Sequence, residues 1–193
     1  MRRSIMIIAA LAAMLLSAPG AGAQKRKVEL LPFGNFNSWV TRNLKESLVI
    51  GGHDKTIYAI GPTETIEGNK AYVPKGGSPW ATSNVYAHVS GVTKGSNAVY
   101  PFERSKGNYC ARLCSELERV KALGIINMDV MVAGSVFLGR MIEPVRSTSD
   151  PYTKMEVGMP YTKRPKAFVL DYKVEMPTTD TRIKSTGFVS KKT

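Results

Sequence analysis

Short stretches of alternating apolar and polar residues recur along most of this chain. Positions 56–60 alternate. So do Val85, Ala87 and Val89 against Tyr86, His88 and Ser90, and Phe168, Leu170, Tyr172 and Val174 against Val169, Asp171 and Lys173. A period of two is the mark of half-buried strands. Turn-forming residues fall between these stretches, among them Gly51-Gly52, Gly61-Pro62, Pro74-Lys75-Gly76-Gly77 and Gly107-Asn108. The rhythm predicts a mainly β, mostly antiparallel sandwich or barrel. Residues 130–137 are almost wholly apolar and predict a fully buried strand, with Gly134 marking a bulge or a close backbone contact. Residues 110–121 fit two periods. Ala111, Leu113 and Leu117 share one strand face opposite Arg112, Glu116 and Glu118. Cys110, Leu113, Cys114, Leu117 and Val120 also form a helical stripe. The β rhythm on either side favours the strand.

The N-terminus carries a different pattern. Arg2 and Arg3 precede an unbroken apolar run over residues 5–16, and Ala21-Gly22-Ala23 follows. A positive start, a short apolar run and small residues at the end make a secretory signal, and the run is short for a bilayer span. Cleavage is expected after Ala23. The expected organisation is a signal peptide at 1–23 and one β-sandwich domain at 24–193, with no transmembrane segment after cleavage. The expected location is secreted, periplasmic or at the cell surface.

Charge narrows the choice of partners. The formal net charge is +12, and losing Arg2 and Arg3 leaves +10. A basic chain favours polyanionic partners, acidic glycans among them. The positive residues are scattered, in Lys25-Arg26-Lys27, Lys163-Arg164-Pro165-Lys166 and Lys191-Lys192. Such short runs read as solvated surface, and export argues against nucleic acid as a partner. On one strand Cys110 and Cys114 would lie about 13 Å apart, beyond disulfide reach, and on a helix they would sit one turn apart, close to bridging distance; free, buried thiols are expected. Two Cys and two His are too few and too scattered for a zinc site.

Enzyme motifs are scarce. Residues 91–96 lack Walker spacing, and no Gly-x-Ser-x-Gly elbow occurs. His53 sits in a turn and His88 on the polar side of a strand. Fifteen acidic residues offer many pairs for glycoside hydrolysis, but spacing does not rank them, and Glu116 and Glu118 read as a solvated face. The aromatics say more. Trp39 follows Phe33-Gly34-Asn35-Phe36-Asn37-Ser38, and Trp80 stands in Pro79-Trp80-Ala81-Thr82-Ser83-Asn84. Indole stacks on the C–H faces of sugars while nearby amides bond their hydroxyls. Trp80, Asn84 and Trp39 are therefore candidate ligand-binding residues. The same tryptophans also suit core anchors at strand ends.

These strings, with Ala133-Gly134-Ser135-Val136-Phe137-Leu138-Gly139 and Gly158-Met159-Pro160-Tyr161-Thr162-Lys163-Arg164-Pro165-Lys166-Ala167, resemble the PCMD (carbohydrate metabolism domain) family of secreted bacterial proteins. The resemblance spans residues 31–177. It implies a jelly-roll β-sandwich similar to galactose-binding modules, and a glycan partner, with no catalytic residues to carry over. It supports the strand reading of residues 110–121. Arg164 joins the candidates as a contact for acidic sugars. No cofactor is expected; jelly-roll glycan modules often take calcium, but no Asp-rich loop here supports it. The family continues beyond the point where this chain stops, so a sandwich lacking its C-terminal strands is expected. Its exposed sheet edge would then be covered by a partner chain or an oligomer. The expected function is carbohydrate binding or processing. The rivals are a glycoside hydrolase with a carboxylate pair and a cell-surface structural or adhesion module.

Overall fold

The computed structural model describes residues 28–122, 126–147, 150–178, 183–186 and 189–192; the signal peptide expected at 1–23 lies outside them. The described chain is mainly β, with no α-helix and several small sheets compatible with a β-sandwich.

The centre is a three-stranded sheet. β1 (Trp39–Lys45) pairs antiparallel with β2 (Asp54–Ile60) and parallel with β3 (Glu64–Glu67). Trp39 lies opposite Ile60, Val40 opposite Ala59, and Arg42 opposite Ile57. Directly opposed residues share a face. One face therefore presents Trp39, Tyr58 and Ile60, which pack with Trp80 and Val99. The other presents Val40 and Ala59, packed with Tyr72, and Leu44 and Ile57, packed with Tyr86. The β1–β2 ladder is thus covered on both sides.

Around it lie smaller sheets. β4 (Trp80–Thr82) pairs with β11 (Val136–Met141), which also pairs with β12 (Met155–Val157). β5 (Val85–Val89) and β6 (Val92–Ser96) form one hairpin, β7 (Val99–Ser105) and β8 (Asn108–Leu113) another. β9 (Ser115–Ala122) and β10 (Ile126–Ala133) pair antiparallel, and β14 (Val189–Lys192) bridges β10 and β13 (Ile183–Thr186).

Several expectations are borne out and others corrected. Residues 110–121 are strand, not helix. Residues 130–137 are not one fully buried strand: they divide at Gly134 into β10 and β11, and Val130 and Met131 are exposed. The close contact expected at Gly134 is real. Its N–H donates to Cys114 O at 2.7 Å, and the Cys114 N–H donates to Ala98 O at 2.9 Å. A Cβ at 134 would stand 2.3 Å from Ala98 O, so only glycine lets three backbones meet there. In β5 the buried side chain is Tyr86, so the face that reads as polar turns inward. The alternating stretch beyond residue 166 is extended but belongs to no ladder among the described residues, and Phe168, Leu170, Tyr172 and Val174 are exposed. The cysteines are free, and half-buried instead of buried.

Candidate functional site

The structure brings Trp39, Trp80 and Asn84 together, inside the protein. Both indoles are buried in one cluster with Ile60 and Val99. Trp39 Nε1 donates to Phe36 O at 2.7 Å, and Trp80 Nε1 donates to Pro32 O at 2.8 Å. Phe36 meets Trp80 edge-on, with ring centroids 5.2 Å apart. Asn84 is 4% exposed. Its Nδ2 donates to Tyr58 O and Val99 O, and its Oδ1 accepts from the N–H groups of Ala98 and Val99. All four bonds its amide offers in this geometry join β2 to the start of β7. Arg164 is exposed and stands apart from this cluster.

Beneath the other face of β1 lies a buried ion pair. Arg42 and Glu143 are each 2% exposed. Arg42 donates through Nη1 and Nη2 to the two Glu143 oxygens at 3.0 and 2.5 Å, and through Nη2 to Lys70 O. Glu143 also accepts from the N–H groups of Tyr72 and Tyr86. A buried carboxylate with four donors is satisfied, and it anchors the segment after β11 to β1 and β5. Neither residue is singled out by motif. The signal was the alternation Val40, Arg42, Leu44, which places a cation on an apolar strand face.

A second charged group is half-buried. Lys94 Nζ bridges Glu46, at 3.0 Å, and Glu118, at 3.2 Å, while Lys55 Nζ also bonds Glu118. Glu46 accepts the Gly95 N–H at 2.9 Å. Burial pushes the Glu118 carboxyl up, but Lys55 and Lys94 outweigh it and hold it below the ordinary range. A general acid needs the opposite shift. Glu116, two positions earlier, lies 3.4 Å from the Tyr100 hydroxyl, whose pKa is pushed up to about 12 by burial and then by the Glu116 charge. Among the described residues, no group of three His, Cys, Asp or Glu is placed to hold a metal ion.

An open, shallow groove is lined by Val73, Pro74, Pro79, Met159 and Pro160 together with Arg140 and Glu156. Arg140 of β11 lies opposite Glu156 of β12. Its Nε and Nη2 donate to the two carboxylate oxygens at 2.7 and 2.6 Å. Gly139 makes this pairing fit. Its φ is +139°, and a Cβ there would stand 2.0 Å from Glu156 O. Pro79 O accepts the Gly139 N–H, and Leu138 O accepts the Gly158 N–H. The strings over 133–139 and 158–167 thus contribute Gly139, Gly158, Met159 and Pro160 to the groove. No family model matches the chain, and neither curated proteins nor solved structures yield a match. The groove was missed in the sequence because its wall gathers residues from 73 to 160, and no local window contains it.

Proposed function

We propose that this is an exported β-sandwich module that binds carbohydrate, and that the Val73–Met159 groove receives the sugar. One observation carries the reading: an apolar wall of proline, valine and methionine side chains stands beside a solvent-facing Arg140–Glu156 pair. Sugars present an apolar C–H face and a rim of hydroxyls, and such a groove offers a surface for each. The bidentate pair presents charged donors and acceptors at a fixed spacing. The strings that resemble the carbohydrate metabolism domain border this groove, and the N-terminal pattern of a secretory signal agrees with a ligand met outside the cytoplasm. Arg164, four residues past Pro160, adds a cation for acidic sugars. In this reading Trp39, Trp80 and Asn84 support the site from the core, and Trp80, next to Pro79, serves as its reporter.

The test is intrinsic fluorescence titrated with a panel of soluble neutral and acidic glycans. A saturable change with one class, lost in Arg140→Ala and kept in Lys106→Ala, is the expected result. Indifference to every glycan, or an unchanged response in Arg140→Ala, would reject the groove as a sugar site. Release of reducing ends in the same mixtures would move the reading to a hydrolase.

A further inference from the structure

Residues 168–176 hold an extended stretch of chain with a complete strand pattern and no partner strand among the described residues. Phe168, Leu170, Tyr172, Val174 and Met176 alternate on one face and are 70, 57, 80, 64 and 83% exposed. Val169, Asp171, Lys173 and Glu175 occupy the other face. Pro165 and Pro177 bracket the stretch, and neither Gly nor Pro interrupts it. Solvated strands are usually short, charged or bulged at their apolar positions. Here the charges Asp171, Lys173 and Glu175 stand on the opposite face, and the apolar face carries none. The length, nine residues, suits a strand of about 30 Å.

We propose that this stretch is a dimerisation strand, pairing antiparallel with the same stretch of a second copy about a two-fold axis at Tyr172. The register follows from the side chains. With Tyr172 opposite Tyr172, Leu170 faces Val174 and Phe168 faces Met176, so all five apolar residues fall on one face of the ribbon. On the other face each Asp171 lies opposite the second copy's Lys173, giving two opposite-charge pairs. Moving the axis to Asp171 or to Lys173 sets like charges opposite each other. Moving it to Val174 sets Leu170 opposite Thr178 and Phe168 beyond Met176's reach. Directly opposed charge pairs and aromatic or β-branched pairs are the stabilising units of a ladder, and like charges oppose it. The arrangement is isologous, so it closes at two chains instead of growing into a fibre.

A bare two-stranded ribbon is marginal in water and needs its apolar face covered. On the β7–β8 hairpin Phe102 is exposed, with Arg112 over its ring at 5.7 Å, and offers an apolar surface for that cover; Leu113 lies on the hairpin's other face, opposite Val99. This assignment is independent of the carbohydrate reading.

The decisive experiment is sedimentation of the chain as isolated from its cells, over a wide concentration range, with two charge variants. The wild type should be a reversible dimer. Asp171→Lys and Lys173→Asp should each weaken self-association on the order of tenfold, because two attractive pairs become repulsive. Mixed together, the two variants should associate about as well as the wild type, since every cation then faces an anion. A misfolded variant would not be rescued by another, so recovery on mixing reports the pairing itself. A wild type that stays monomeric, variants that dimerise like the wild type, or a mixture that stays monomeric would each overturn the proposal. So would open-ended growth, or a complex formed only with a different protein.

Discussion

Asn84 shows how one side chain organises a core. Its amide closes four bonds to Tyr58, Ala98 and Val99 across strands that are distant in sequence. In Asn84→Ala two carbonyls and two N–H groups are left buried, each without this partner. Groups of that kind cost about 1–3 kcal/mol when orphaned. The expected loss is about 3 kcal/mol, with a fall of about 10 °C in the thermal midpoint. Chemical denaturation with circular dichroism measures it; a loss under about 1 kcal/mol would show that the amide is dispensable. Asn84, Trp39 and Trp80 were legible in the sequence as important residues. Their direction was not, because loops rich in Trp and Asn serve equally to hold a sugar outside or a strand end inside. Arg42 was hidden for a related reason. Charge reads as surface until a partner is known, and Glu143 is 101 positions away.

At the scale of elements, the strand rhythm carried most of the information. β2, β5, β8 and β9 follow period two, and the strand reading of residues 110–121 holds. The rhythm cannot say which strand lies beside which. It therefore gave no warning that β1 is covered on both faces, that Tyr86 turns inward, or that residues 168–176 join no ladder among the described residues. Gly134 was legible because a glycine inside an apolar run is anomalous without a backbone reason. Its crossing makes a sharp prediction. Gly134→Ala sets a methyl against Ala98 O and Cys114, all backbone, with no flexible side chain to yield. Overpacking of this sort costs about 1–3 kcal/mol. The variant should lose about 3 kcal/mol, whereas Gly91→Ala, with no atom within 4 Å of the added carbon, should lose less despite its φ of +80°. Equal losses would show that the crossing is loose.

At the scale of the molecule, charge ties separate parts of the structure. Lys55 of β2, Lys94 of β6 and Glu118 of β9 meet in one network with Glu46. Glu118 has its pKa lowered from an ordinary 4.5. Its contribution is therefore present above that value and lost as pH falls through the folded one. Lys94 is raised from 10.5: burial opposes the charge, but Glu46 and Glu118 prevail. Its contribution is full below that value and lost as pH rises through the folded one. Stability should thus form a plateau between these limits, with an acid limb that flattens in Glu118→Gln and an alkaline limb that flattens in Lys94→Met. Thermal midpoints across pH would check it. Limbs unchanged in both variants would place the pH dependence elsewhere.

The two-sided burial of β1 has an evolutionary reading. A strand at a solvated surface can drift at every second position, because one side chain in two meets only water. From Trp39 to Leu44 no position is exposed, and Trp39, Val40 and Leu44 each pack into a buried cluster. Change along this stretch must come in matched steps, with Trp39 following its partners around Trp80 and Leu44 following those around Tyr86. A strand buried on both faces is thereby less free to vary than one with a solvated face.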